Sequence, residues 1–450
     1  MKILTLLPSR SAVGFVLGLA AVVVSFSSVI VAQTCGLQFR TGSADPTFDS
    51  IFTQDGPGLG LEPTGAAGWT GGDSTYSIEL PNGDTAFFFS DSYIGESPRL
   101  TGDGTVTTNS AGLRTREANC FPPLCNPPTV LYRAHNSVVI RNKTTGTLTT
   151  LMGAKDVTGY STSYFAPPAS AATGRFYWMG DSAVIQASSD GTQKLWVFLL
   201  EFDSSWAFHG SAIAQLSLPS LEIESIQPLL NLQDTSSVHW GAALYLEGTF
   251  GNYTLYVYGM NATTAQKRPY VARTSMVGNL VDASNTLNWS VWSGGGWTPE
   301  FAAASPVIGA PSDPNNASDS ISDEFSVKRV HTNSGPVFLL VGMDTTPVFG
   351  AWKDITIYTS CNPAGPFSAK SVVYSTPETG YNRVPGMTTG QFLAGNMFTY
   401  NPHLHPQFTS KGRLLISYNI NAGRSADLLF ADTYRPRFIR VPVRGERGVN

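Results

Sequence analysis

The feature that most restricts how this chain can fold is a repeat. Beyond residue 69 its apolar runs are short, rich in β-branched and aromatic residues, and separated by turn signals. They sort into five groups of four. The first is GGDSTYSIEL, DTAFFFSDSY, NSVVIRN and TLTTLMG (71–153), and the next three begin at RFYWMGDSAVIQ (175), HWGAALYLE (239) and DEFSVKRVH (323). The fifth is NPHLHPQFTS, RLLISYNIN, DLLFADTY and RFIRVPV (401–443). Four antiparallel strands repeated around an axis describe an all-β, five-bladed β-propeller with four-stranded antiparallel blades. One closed domain over 67–445 then uses nearly the whole chain. A pair of sandwiches or a jelly roll is the competing architecture, and it predicts no five-fold register of motifs.

Composition agrees. Of 450 residues only 13% are charged, 11% are aromatic, and Gly (44) and Pro (29) are plentiful, as in a turn-rich β protein. A net charge of −4 is too balanced for a nucleic-acid or polyanion partner. Lys2 and Arg10 precede a largely apolar run, Val13–Ala32, which ends on Ile30-Val31-Ala32 before Gln33. Residues 1–32 therefore read as a secretory signal peptide, with an uncleaved anchor as the alternative because the run approaches the ~20 residues of a membrane span. The expected destination is extracellular or periplasmic, without stable membrane association after cleavage, and the expected state is a monomer. Residues 33–66 are Gly- and Pro-rich and are expected to lend a ring-closing strand. Cys120 and Cys125 bracket a Pro-rich turn and are expected to pair. Whether Cys35 pairs with Cys361 is left open by spacing, which matches no zinc site. Five glycosylation sequons carry no weight in a chain this rich in Ser and Thr.

The first hairpin begins and ends on a carboxylate. Leu80-Pro81-Asn82-Gly83-Asp84 suits a three-residue turn with a bulge, which pairs Leu80 with Asp84 and sets Asp73 opposite Asp91. Opposed residues share a face with Cβ atoms about 5 Å apart, so two like charges there call for a reason. Second strands of all five groups end on a polar tip: Asp91, Asp203, Asn261, Asp344 and Asn421. First strands start near an ionisable residue: Asp73, Asp181, His239, Glu324 and the pair His403/His405. A propeller gathers both sets at one mouth of its central channel. Asp and Asn are poor strand formers, so the tips need either a turn role or a site role. The insertion 96–134 leaves from the same end, as a lid or as a disulfide-pinned decoration.

Asp73 and Asp91 as a catalytic pair is the sharpest reading. Glycoside hydrolysis needs one carboxyl to protonate the leaving oxygen and another to attack or to activate water. Repulsion between two carboxylates splits their pKa values in the required way. The competing reading is that both Asp residues cap local turns. Glu324 would supply an acid from across the channel, with Asp323 as its rival for the inward position, and Asp181 would tune a neighbour or bind a sugar hydroxyl. Trp69, Tyr93, His239, Trp240 and His405 are the expected sugar-binding residues, although most propeller aromatics pack between blades. No cofactor is required. His403 and His405 share a face and suggest a calcium-like ion in the channel, but two histidines without a third ligand are a weak metal signal. No P-loop, nucleophile elbow or dinucleotide fingerprint is present.

The segments GGDSTYSIELPNGDTAFFFSDSYIG, HWGAALYL…LYVYGM, YVARTSM…WSVWSGGGW, SDEFSVKR, YTSCNPAGPFS and YNPHLHPQFTSKGRLLISYNIN resemble, in order over roughly 66–443, a group of secreted five-bladed propellers long catalogued as domains of unknown function. One branch of that group consists of endo-D-arabinanases. The resemblance implies a glycoside hydrolase acting on arabinofuranosyl-containing or related polysaccharide, with Asp73 and Asp91 at the positions implicated in cleavage. SDSYIG departs from the Gly-Asp-Thr-type end of that branch. A non-catalytic carbohydrate-binding propeller (a lectin or adhesin) is the second reading, and a scaffold for protein partners the third.

Overall fold

In the computed structural model the described residues are 35–53, 68–95, 133–157, 161–169, 171–229, 238–261, 266–279, 289–309, 319–333, 335–368, 370–382, 395–424, 427–428 and 430–444, with the backbone of 106–108 and 114–116. The expected signal peptide, the Cys120–Cys125 pair and most of the 96–134 insertion lie outside them.

Five antiparallel sheets form the ring. From the axis outward, blade one runs Tyr76–Glu79, Thr85–Phe89, Ser137–Arg141 and Leu148–Leu151. Above it, Gly68–Gly72, Ser92–Gly95 and Arg133–Ala134 make a small sheet of their own. Blade two is Phe176–Gln186, Gln193–Phe202, Phe208–Ser217 and Ile223–Pro228. Blade three is Val238–Thr249, Asn252–Asn261, Pro269–Met276 and Ser290–Trp292, extended by Trp297–Thr298. Blade four is Ser326–Thr332, Gly335–Met343, Asp354–Ser360 and Ser371–Ser375.

Blade five departs from the expected strand order. Met397–Leu404 and Arg413–Ala422 are its first two strands, but the third is Pro436–Pro442. The described residues of DLLFADTY form no strand, and its Ala431–Thr433 segment is a 3-10 turn. The outermost place belongs to Ser43–Ala44, paired with Arg440 and Ile439. A short helix, Pro46–Thr53, follows. Asp45 caps it by accepting from the amides of Thr47 and Phe48 at 3.1 Å, with Pro46 at its first position.

The second strands read as continuous apolar runs because each blade is covered on both faces. In blade two, Leu195 to Leu200 are all buried. Each of the five seams between neighbouring blades holds one apolar cluster. The seam between blades four and five packs Leu339 and Val341 against Ile416 and Ile439. Between blades five and one, Leu415 and Phe438 meet Phe87, Phe89 and the helix residues Phe48 and Phe52. A disulfide joins Cys35 to Cys361, just beyond the third strand of blade four.

Candidate functional site

The hairpin of blade one has the register that its turn predicts. Tyr76 pairs with Phe88 and Glu79 with Thr85, and the amide of Leu80 donates to Asp84. Gly83 takes the positive φ, 84°, that the turn needs. The same register resumes above, where Gly72 pairs with Ser92 and Gly71 with Tyr93. Between the two ladders, Ser74 and Thr75 adopt left-handed backbone with φ of 69° and 60°. Such residues cost about 1 kcal/mol or more each and persist only where their surroundings enforce them. Here the Ser74 hydroxyl donates to Glu324 Oε1 across the channel at 2.9 Å and lies 2.7 Å from Ser90 Oγ. Asn419 of blade five donates to Thr75 Oγ1 at 2.9 Å. The break lifts Asp73 out of a regular ladder and aims it into the mouth.

Asp73, Asp91, Asp323 and Glu324 line one cavity of about 410 Å³, together with Tyr93, Tyr400, Asn421 and Lys267. The two hairpin carboxylates diverge towards different blades. Asp73 Oδ2 accepts from the Tyr400 hydroxyl of blade five at 2.8 Å, and that hydroxyl accepts from Asn421 Nδ2 at 3.0 Å. Asp91 Oδ1 faces blade two. It accepts from Trp178 Nε1 at 3.2 Å and lies 3.1 Å from His135 Nδ1.

Glu324 is a strongly perturbed acid. Burial pushes its carboxyl well above the usual range, and the nearby charge of Asp73 pushes the same way, against the lowering effect of the Ser74 hydrogen bond. Among the described residues its Oε2 has no hydrogen-bond partner, and His403 Nε2 approaches it at 3.6 Å. His403 is itself held far below the ordinary histidine range, by burial first and by His405 next. A neutral acid beside a neutral imidazole is thus the state that burial favours. Burial also raises Tyr400 well above the usual phenol range, and the charge of Asp73 adds to it, which keeps the hydroxyl a donor. Glu324 and Asp323 both reach the cavity. Asp323, the expected rival for the inward position, forms an ion pair with Lys267 at the rim.

Other expected site residues lie elsewhere. Asp181 sits at a bulge below the cavity, where Lys328 Nζ approaches both its oxygens at 2.6 and 2.8 Å and the amides of Leu244 and Ser182 donate to it. With its oxygens so occupied, it is a buried ion-pair residue and not a cavity wall. Trp69 packs under the N-terminal helix against Phe52 and Phe89. Trp240 is fully buried in the seam between blades two and three. These two indoles fill core and present no face to a ligand. His239 stacks on Phe208 at 4.0 Å, outside the cavity lining. His405 lies deeper in the channel, 2.5 Å from Ser77 Oγ, and burial lowers its imidazole to about 3. Tyr93 does line the cavity. Among the described residues no group of three or more His, Cys, Asp or Glu is arranged to hold a metal ion.

The sequence reading missed Tyr400, Ser74, His135, Trp206 and Phe349. Tyr400 and Phe398 alternate along the first strand of blade five, just before the expected start at Asn401, so a longer window there would have found both.

Residues 63–443 match the family described as a domain of unknown function, DUF5005. The chain belongs to that family. No curated protein matches it. Among solved structures, this DUF5005 propeller is similar to a Bacteroides ovatus protein described provisionally as a hydrolase, with a TM-score of 0.58 and 18% identity over 88% of this chain and 89% of that one. That likeness establishes the fold. Looser likenesses include a GH43_1 enzyme of Xanthomonas citri complexed with xylotriose (TM-score 0.41, 12% identity, 85% and 92% covered). Another is the α-L-arabinofuranosidase of Podospora anserina in complex with cellotriose (TM-score 0.39, 9% identity, 90% and 96% covered). Scores this low carry no argument about chemistry.

Proposed function

We propose that this DUF5005 propeller is a secreted glycoside hydrolase acting on arabinofuranosyl-containing or related polysaccharide. One observation carries the reading: Glu324 of blade four, largely buried and with its carboxyl pushed well above the usual range, faces the same cavity as Asp73 of blade one, whose charge adds to that shift. Glycosidase chemistry asks for that asymmetry, one carboxyl with a proton to give and one without. In this scheme Glu324 gives its carboxyl proton to the glycosidic oxygen as the bond to the anomeric carbon breaks. Asp73, fixed by Tyr400, attacks that carbon or takes a proton from the attacking water. Asp91 acts from the side, orienting Trp178 and His135 beside the sugar. The acid therefore moves from the hairpin pair to Glu324. The arabinofuranosyl preference rests on the sequence resemblance, and export is supported by the Cys35–Cys361 disulfide.

The test is incubation of wild type, Glu324→Gln, Asp73→Asn and Asp91→Asn with arabinans, arabinogalactan and other plant and microbial glycans, read by product chromatography. Wild type is expected to release products. Glu324→Gln and Asp73→Asn are expected to lose about 10²–10⁴-fold in kcat while still binding. The anomeric configuration of the first product tells attack by Asp73 from attack by water. Binding without product from any glycan would replace this reading with the lectin one.

A further inference from the structure

The two walls of the cavity carry exposed aromatic rings that no fold requirement explains. Trp206 of blade two is 52% exposed and Phe349 of blade four 67% exposed, although both line the cavity. Each sits on a turn that follows the second strand of its blade, and each turn is pinned. Trp206 takes a left-handed φ of 67°, and its amide donates to the carbonyl of Asp203, whose carboxylate accepts from Ser205 and Ala207. Phe349 precedes Gly350 at φ 89°, in a loop held by Trp352 Nε1 donating to Pro347 and by Thr346 N donating to Asp344. Backbone cost and hydrogen bonds are thus spent on holding a large apolar ring in water, the reverse of what folding alone selects.

Each ring is also the end of an aromatic shelf. Trp206 lies 5.1 Å from Trp178, and Phe349 lies 5.0 Å from Trp352 and 5.1 Å from Phe398 of blade five. In a ring of five blades, blade two stands opposite the junction of blades four and five, so the shelves face each other across the mouth with the carboxyls between them. The floor is acidic: Asp73 and Asp91 line it beside Glu324, and among the described lining residues the one cation, Lys267, is paired with Asp323.

We infer that Trp206 and Phe349 are two sugar platforms for a single uncharged glycan strand that lies across the mouth and rests on both at once. The inference depends on the cavity being a carbohydrate site, as proposed above, but not on cleavage. The acidic floor repels uronides and sulfated glycans, and the distance between the platforms makes affinity depend on chain length.

The experiment measures binding of arabino-oligosaccharides of two to eight units, and of oligogalacturonides of the same lengths, by tryptophan fluorescence and calorimetry. It uses the Glu324→Gln protein, alone and with Trp206→Ala, Phe349→Ala or both, with melting temperature as the folding control. Affinity for the neutral series should rise with length and then level off. Each substitution should weaken the long oligosaccharides about tenfold, and the two together about a hundredfold, because distant sites add. Oligogalacturonides should bind at least tenfold more weakly. Affinity independent of length, long oligosaccharides indifferent to both substitutions in folded protein, no binding of the neutral series, or equal binding of the anionic series would each overturn the inference. Hydrolysis of glycans by wild type with no effect of either substitution on binding would sink the platforms and leave the hydrolase standing. Binding that needs both platforms, with no hydrolysis, would do the opposite.

Discussion

At the scale of single residues, Glu324 ties activity to stability. Its carboxyl holds a proton more tightly folded than unfolded, so folding loses stability as pH rises from the ordinary carboxyl range towards its raised value. Glu324→Gln removes that loss. The variant should melt above wild type at neutral pH, with the gap closing as pH falls towards 4.5, the ordinary value of this carboxyl, in a calorimetric series. The activity of wild type should fall as pH climbs through the raised value, since only the protonated acid can donate. A variant less stable than wild type at pH 7 would contradict the assignment. Tyr400→Phe deletes the hydroxyl that donates to Asp73 while keeping the ring. A hydrogen bond to a charged group contributes about 1.5–3 kcal/mol, so kcat should drop about 10–100-fold with KM little changed. Asp73 and Asp91 were legible as cavity residues because turn chemistry fixes hairpin register, and register survives the interruption at Ser74 and Thr75. Trp69 and Trp240 were not legible as core, because an indole in a strand carries no mark of which face it takes. Glu324 drew notice by position alone, since its perturbation comes from burial and from Asp73, which a linear chain does not bring near.

At the scale of elements, the recurring polar tips divide by role. Asp203 and Asp344 cap the turns that present Trp206 and Phe349, whereas Asp91 and Asn421 reach the cavity. One position in the repeat thus serves turn geometry in blades two and four and the site in blades one and five, a split invisible until partners are known. Strands with a β-branched, apolar run and a clear turn were read almost residue for residue. Blade five was not, because its outer strand is only Ser43–Ala44, too short to show any periodicity and almost four hundred residues away from Arg440. DLLFADTY has the composition of a strand, but its described residues form none in blade five, where Ser43–Ala44 fills the outer place. The N-terminal helix anchors this arrangement through Phe52, fully buried among Trp69, Phe87, Phe89 and Phe438. Phe52→Ala should cost about 3–5 kcal/mol in denaturant unfolding. A cost below 1 kcal/mol would mean that the helix is not part of the cooperative fold.

At the scale of the whole molecule, the site exists only because the ring is closed. Glu324 of blade four, Asp73 and Asp91 of blade one and Tyr400 of blade five are brought together by circular order alone. Four seams join blades that follow one another along the chain, and the fifth joins the last blade to the first. That last seam is sealed by Phe48, Phe52, Leu415 and Phe438, and the outer strand Ser43–Ala44 precedes the helix directly. Cys35 lies just ahead of this closing segment and is bonded to Cys361 of blade four, 326 residues away. A crosslink over so long a loop removes much freedom from the unfolded chain, about 2–4 kcal/mol in typical cases. Replacing both cysteines by alanine should therefore lower unfolding stability by that amount, and dithiothreitol treatment of wild type should reproduce the loss. Because the crosslink acts chiefly on the unfolded state, turnover measured well below the melting temperature should change less than twofold. If turnover instead fell in step with stability, the disulfide would be shaping the cavity itself, through the blade-four framework that carries Glu324 and the Phe349 loop.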